Sequence, residues 1–183
     1  MTVVSNTSPI NYLTLIGLDR LLPALFGRVI IPLAVREELN SSGAPPQITE
    51  MLSRSGGWLE AVRAPAVSDP ILSGLDAGEM EAIGLAVSMK AELILMDEAR
   101  GRRAASEHFG LRVTGTVGIL DRAARVDLID VADVVERLRK TSFRASPKLY
   151  QLLLGPATKP ATIHEKNEAE TGTNDVERDE GSC

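Results

Sequence analysis

The chain has 183 residues, a formal charge of −5 and 44 % apolar residues, so it has the size and core material of one ordinary domain. Aromatic residues make up only 3 %, which argues for an aliphatic core and against modules that bind nucleic acid by stacking bases on aromatic platforms. The single cysteine, Cys183, excludes an intrachain disulfide and a cysteine-based zinc site, and two histidines are too few for most histidine-rich metal centres.

Val3-Val4 predicts a short buried strand, and Ser8-Pro9 an N-cap followed by proline at the first helical position. Ile10, Leu13 and Ile16 recur at helical spacing until Gly17. A short helix is expected from Asp19 to Phe26, then a strand at Val29–Ile31 stopped by Pro32, and a helix over Leu33–Asn40. Another helix follows the Pro45-Pro46 turn, and Trp58–Val62 alternates as an edge strand would. Asp76-Ala-Gly-Glu79 has the spacing of a capping box opening a helix. Leu93–Met96 predicts a fully buried strand ending at Asp97, which stands where an N-cap belongs before a helix at Glu98–His108, with Gly110 as C-cap. Val113-Thr114 is a last short strand. Helices are expected near 117–124 and 130–140, and a final one from Ser146-Pro147 to Leu153, closed by Gly155.

These elements make residues 1–154 one domain, leaving 155–183 as an acidic tail without apolar periodicity, expected to be disordered. The start of the chain has no charged run followed by an apolar one, and no apolar stretch reaches bilayer length, so the expectation is a cytoplasmic protein without a membrane span. Strands separated by helices imply a mostly parallel sheet covered on both faces, with ligands bound beyond the carboxyl ends of the strands. Charge is unevenly spread. Residues 1–99 carry 6 Lys and Arg against 12 Asp and Glu, whereas residues 100–148 carry 11 against 6. A cation site beside a phosphate-binding surface would produce that split, and so would chance.

The motifs of several α/β enzymes are missing. There is no G-x-G-x-x-G after the first strand, no G-x-x-x-x-G-K-[ST] and no G-x-S-x-G. What stands at the strand ends is a set of oxygen-bearing side chains: Asn6, Glu38, Glu79 and Asp97. Oxygen donors of this kind suit Mg²⁺ or Mn²⁺ rather than zinc. Each also has a plain structural role open to it. Glu79 could be only half of a capping box, Asp97 only a helix cap, and Glu38 only a solvated helix face. Arg100, Arg102 and Arg103 could equally be ordinary surface charge.

Five ordered blocks narrow this. VVSNTSPINYL (3–13), RVIIPLAVREEL (28–39), LDAGEMEAIGLA (75–86), LILMDEARGRRAA (93–105) and GLRVTGTVGIL (110–120), with TSFRASPKLYQLLL (141–154), resemble the PIN-domain family. That family contains many metal-dependent ribonucleases, including the VapC-type toxins of toxin–antitoxin pairs, and a bacterial and archaeal branch regarded as nucleic-acid-binding. The resemblance implies a three-layer α/β/α fold around a central, mostly parallel sheet of about five short strands. It implies an acidic pocket binding Mg²⁺ or Mn²⁺, with Glu38, Glu79 and Asp97 as catalytic metal ligands and Asn6 where the family has an aspartate. Glu81 is an alternative to Glu79. Thr114 and Thr116 follow the last strand, where the family places polar residues near the pocket. Arg100, Arg102, Arg103 and Thr116 would hold substrate phosphates, with a basic track continuing to Lys148.

The expected function is therefore a Mg²⁺/Mn²⁺-dependent endoribonuclease, the toxin of a toxin–antitoxin pair, acting on RNA and masked by a cognate antitoxin. A homodimer is implied by the resemblance alone. The alternative is a catalytically weakened PIN fold that binds RNA or a protein without cutting, because Asn6 removes one unit of charge from the pocket.

Overall fold

The computed structural model describes residues 1–66, 68–144 and 153. Five strands form one sheet: β1 (Val3–Ser5), β2 (Val29–Pro32), β3 (Leu59–Val62), β4 (Leu93–Leu95) and β5 (Val113–Thr114). All neighbouring strands pair in parallel, in the order β3-β2-β1-β4-β5. The chain builds outward from β1 in one direction, returns to the centre, and builds outward in the other. The switch in strand order therefore falls between β1 and β4, where Val3, Val4 and Ser5 align with Leu93, Ile94 and Leu95. In open parallel sheets the crevice beyond such a switch is where ligands bind.

Eight α-helices cover the sheet among the described residues: α1 (Thr7–Leu15), α2 (Leu21–Phe26), α3 (Leu33–Leu39), α4 (Pro46–Arg54), α5 (Ala77–Ser88), α6 (Ala99–Arg103), α7 (Thr116–Arg125) and α8 (Val131–Arg139). The strands feed two cores because successive side chains point to opposite faces. Val3, Val29, Ile31 and Leu95 pack with α1–α4, α7 and α8 on one face. Val4, Ile30, Ile94 and Met96 meet Ala82, Ile83 and Leu85 of α5 on the other. The result is the three-layer α/β/α arrangement with an aliphatic core that composition and pattern predict.

Two helix starts differ from the sequence reading. Ser8 is not the cap of α1: Asn6 holds that position, and its side chain makes no capping hydrogen bond. Pro9 thus falls at the third helical residue, which it can occupy because the first four N–H groups of a helix have no intrahelical acceptor. Asp97 likewise is not the cap of α6, a position held by Glu98. In both cases the expected capping side chain is turned to a different hydrogen bond at the sheet edge. The helix expected over 98–108 divides into α6 and a π-helical turn at Ala104–His108. A 3₁₀ turn at Pro70–Leu72, not foreseen, precedes α5. The capping box of α5 is present in both directions. The expected tail at 155–183, and the final helix from Ser146 apart from the buried helical residue Leu153, lie outside the described residues. No helix among the described residues is long and apolar enough to cross a membrane.

Candidate active site

The carboxyl ends of β1 and β4 carry Asn6, Asp97 and Glu98. Asn6 continues the sheet ladder, its backbone N–H donating to Leu95 O at 3.0 Å. That bond fixes its side chain over the switch point. Asn6 Nδ2 donates to Glu98 Oε2 at 2.9 Å, and the Ser8 hydroxyl donates to Glu98 Oε1. Glu98 is thus held from both sides by the first turn of α1.

Asp97 is held just as firmly by the last strand connection. The backbone N–H of Thr116 donates to Asp97 Oδ1 at 2.7 Å, and the Thr116 hydroxyl to Oδ2 at 2.6 Å. Gly115 makes room for this: a Cβ there would lie 2.4 Å from Asp97 Oδ1. Burial pushes the Asp97 carboxyl above the ordinary aspartate range, the nearby Glu98 adds to that rise, and the Thr116 bonds and Arg102 oppose it.

Glu79 enters from the first turn of α5. Asp76 Oδ1 accepts from Glu79 N at 2.7 Å, and Glu79 Oε2 accepts from Asp76 N at 3.1 Å. The capping box therefore uses one carboxylate oxygen and leaves the other aimed inward. Burial raises this carboxyl too; its bond from the Asp76 backbone and Arg100 work the other way, and the charges of Asp76 and Glu98 reinforce the rise. Glu38, on α3, accepts from the Thr7 hydroxyl. Its Oε1 lies 2.9 Å from where a Cβ on Gly78 would sit, so this exposed carboxylate reaches the start of α5 beside Glu79.

Two acceptors stand out. Asn6 Oδ1 and Glu79 Oε1 are both buried without a hydrogen-bond partner among the described residues. Their residues are only 3 % and 5 % exposed, so bulk water does not satisfy them. An unsatisfied buried acceptor costs about 1–3 kcal/mol, and native chains usually carry such a group for a reason. Both oxygens are hard donors, the type that Mg²⁺ and Mn²⁺ accept. The donor set fits such a cation in chemistry and in these two orphaned atoms. Among the described residues, however, no three His, Cys, Asp or Glu side chains are grouped closely enough to hold a metal ion as they stand. Asp97, Glu98 and Glu38 are instead turned to Thr116, to Asn6 and Ser8, and to Thr7.

The structure thus brings Asn6, Glu79 and Asp97 to the carboxyl edge and places Glu38 against α5. It separates the other expected residues by role. Thr116 is fully buried and spends both donors on Asp97. Thr114, Asp97, Arg102, Phe143 and Arg144 line part of a cavity of about 430 Å³ beside the site. Arg102 Nη1 donates to Met96 O at 2.7 Å, steadying the end of β4. Arg100 is tied to Gly74 O and Ser73 O, and Arg103 is exposed with no protein partner among the described residues. Glu81 accepts from Ala34 N at 3.1 Å, capping α3 from outside, which is a structural use. Lys148 lies outside the described residues.

The sequence reading missed Glu98. Its signal was the Asp97-Glu98 pair at a strand end: two adjacent acids just past a buried strand both fall at the carboxyl edge. An acid at a helix start also has an ordinary role, complementing the N-terminal end of the helix dipole, so the residue type alone does not mark it. The Glu98 charge in fact acts on both Asp97 and Glu79.

No curated protein and no solved structure shows a significant match to this chain. A family model described as a PIN domain matches residues 2–159, nearly the whole chain apart from the tail. The parallel sheet order, the helices on both faces and the acid-lined switch point agree with that match, and with it the fold is of nuclease type. The chain belongs to the PIN-domain family.

Proposed function

We propose that the protein is a Mg²⁺- or Mn²⁺-dependent endoribonuclease whose site lies at the carboxyl edge between β1 and β4. The observation that carries this reading is the pair of buried, partnerless oxygens, Asn6 Oδ1 and Glu79 Oε1, beside the charge of Glu98 and Asp97. Asn6, Glu79 and Asp97 would hold the cation, with Glu98 as the ligand that the sequence did not disclose. A bound divalent ion lowers the pKa of water and neutralises charge developing on a phosphodiester.

The chain's own residues do the rest. Thr116 donates to both oxygens of Asp97 and so fixes its rotamer, and a cation there would be met by the lone pairs those bonds leave. The capping box fixes Glu79 and leaves Oε1 inward. Glu98, which accepts from Asn6 Nδ2 and the Ser8 hydroxyl, would add a carboxylate to the cation by giving up the Asn6 bond. Glu38, whose Oε2 is engaged by Thr7, presents Oε1 to orient the attacking water and accept its proton. Arg103, exposed and unpaired among the described residues, is suited to a phosphate. By analogy with the toxins of this family, a small antitoxin encoded beside the gene would mask the site with a basic side chain.

A second reading has its own support. Asn6 is neutral, and the acids are not gathered into a group of three among the described residues. A PIN fold with those features could bind RNA or a protein without cutting. Purified protein incubated with a mixed RNA pool in Mn²⁺, in Mg²⁺ and in chelator separates the two. Cleavage abolished by chelator and by Glu79→Gln supports the nuclease. Binding without cleavage under all conditions supports the second reading.

A further inference from the structure

Of the residues lining the cleft between the 3₁₀ turn and α6, only Arg103 enters the reading above. The cleft has a volume of about 370 Å³, within the usual range of small-ligand sites, and its walls include Ile71, Leu75, Arg100, Arg103, Glu107 and His108. The lining is divided by chemistry. Ile71, 48 % exposed, and Leu75 supply apolar surface, and the guanidinium groups of Arg100 and Arg103 line the same cleft.

The cleft is also fixed in shape. Arg100 donates to Gly74 O at 3.0 Å and Ser73 O at 3.2 Å. Gly74 has φ +84°, and a Cβ there would lie 2.9 Å from Arg100 Nη2, so this clasp depends on glycine. At the other end His108 Nε2 is 3.0 Å from Asp69 Oδ2, while Asp69 Oδ1 accepts from Ile71 N at 2.9 Å. The His108 ring is set edge-on against Phe109. These tethers bind residues 69–75 to α6 and the turn after it. The same segment runs directly into Asp76, the cap of the helix that carries Glu79, and the Arg100 charge acts on the Glu79 carboxyl. The cleft therefore adjoins the acidic site.

We propose that this cleft receives one nucleotide of single-stranded RNA next to the cut, with its base against Ile71 and Leu75 and its phosphate on Arg103. The placement of the cut, though not the binding itself, rests on the nuclease reading. An apolar wall matches the face of a base, and an unpaired guanidinium matches a phosphate. Glu107, four residues after Arg103 in the continuous helical segment, lines the same cleft and confines an anion to the Arg103 guanidinium. Arg100, already committed to two carbonyls, adds charge without needing to move.

The test uses the full chain and a fluorescein-labelled single-stranded RNA of mixed sequence, with anisotropy read in chelator over a range of salt. Arg103→Ala and Ile71→Ala alter exposed side chains, and thermal unfolding checks that both variants stay folded. Each is expected to weaken binding by roughly tenfold. Arg103→Ala should also flatten the salt dependence by the equivalent of about one phosphate contact, whereas Ile71→Ala should leave the slope unchanged. Cleavage in Mn²⁺, where present, should show the loss in KM with kcat retained. If both variants bind RNA as the wild type does, the cleft is not a subsite, and normal cleavage would then leave the nuclease reading standing. If binding falls as expected but no protein cleaves RNA, the cleft proposal holds and the nuclease reading fails. A wild-type chain that binds no RNA overturns both.

Discussion

Asn6 Nδ2 donates to Glu98 Oε2 at 2.9 Å, joining the ends of the two central strands across 92 residues of sequence. This bond leaves Asn6 Oδ1 buried without a donor and holds a carboxylate over the switch point of the sheet. An aspartate at position 6 could not make it, because a carboxylate has no proton to give.

Asn6→Asp should therefore act in opposite directions with and without metal. Two carboxylates about 4 Å apart repel by up to ~4 kcal/mol at an effective dielectric near 20. In chelator the variant is expected to melt below the wild type. In Mn²⁺ it should recover, with tighter metal binding and faster RNA cleavage. Thermal unfolding with and without Mn²⁺ checks this, and a variant unaffected by both conditions would show that charge at this edge is unimportant.

Burial raises the carboxyls of Glu79 and Asp97 above their ordinary values of 4.5 and 3.8. A carboxyl whose pKa is raised by folding binds its proton more tightly in the folded chain. Its stabilising contribution is complete below the ordinary value and is lost as pH rises through the folded-state value. Metal-free protein should accordingly lose stability as pH climbs above those ordinary values and through the raised folded-state ones, and less so in Glu79→Gln, where one of the two groups no longer titrates. Chemical denaturation at a series of pH values in chelator measures both slopes. Added Mn²⁺, favouring the charged carboxylates, should stabilise most at neutral pH.

Gly101 and Gly78 both flank the site, yet alanine should affect them differently. A Cβ on Gly101 would lie 2.4 Å from Met96 Sδ and 2.9 Å from Glu79 Oε1, inside packed surroundings. Gly101→Ala is expected to cost about 1–3 kcal/mol through overpacking, despite the better helix propensity of alanine, and to displace the inward oxygen of Glu79. A Cβ on Gly78 would meet the Glu38 carboxylate at 2.9 Å, the far end of an exposed flexible side chain. Gly78→Ala should fold almost as stably as the wild type but impair cleavage by moving Glu38. Denaturation midpoints and cleavage rates for the two variants distinguish these outcomes.

Glu81 Oε2 accepts from Ala34 N at the start of α3. It caps that helix from outside, so Glu81→Ala should lower stability by about 1 kcal/mol while RNA cleavage persists. Loss of cleavage in a folded Glu81→Ala protein would restore Glu81 as a ligand in place of Glu79.

The layers of the fold were legible because each strand is a short aliphatic run and each helix has its own punctuation. Val3-Val4, Val29–Ile31 and Leu93–Met96 announce buried strands, and Gly17, Gly27 and Gly110 all adopt the positive φ that ends an element. The capping box at Asp76 and Glu79 was legible for the same reason: it is local. What the sequence could not show is where a capping side chain turns when a distant partner competes for it. Ser8 and Asp97 sit at plausible cap positions, but Glu98 and Thr116, 90 and 19 residues away, claim them. Glu98 was hidden by the same rule, since helix starts favour acids in any protein. The arginines look alike in sequence and divide only in three dimensions, two serving backbone carbonyls and Arg103 left free of protein partners among the described residues.

The central claim is that the orphaned oxygens of Asn6 and Glu79 face a divalent cation. Its most direct test is equilibrium binding of Mn²⁺, followed by electron paramagnetic resonance, to the wild-type chain and to Glu79→Gln. Glutamine preserves the capping box, so the variant should stay folded. Saturable binding to the wild type, weakened at least about tenfold by removal of that one charge, is the expected result. Equal binding by both proteins, or none by a folded wild type, would contradict the account.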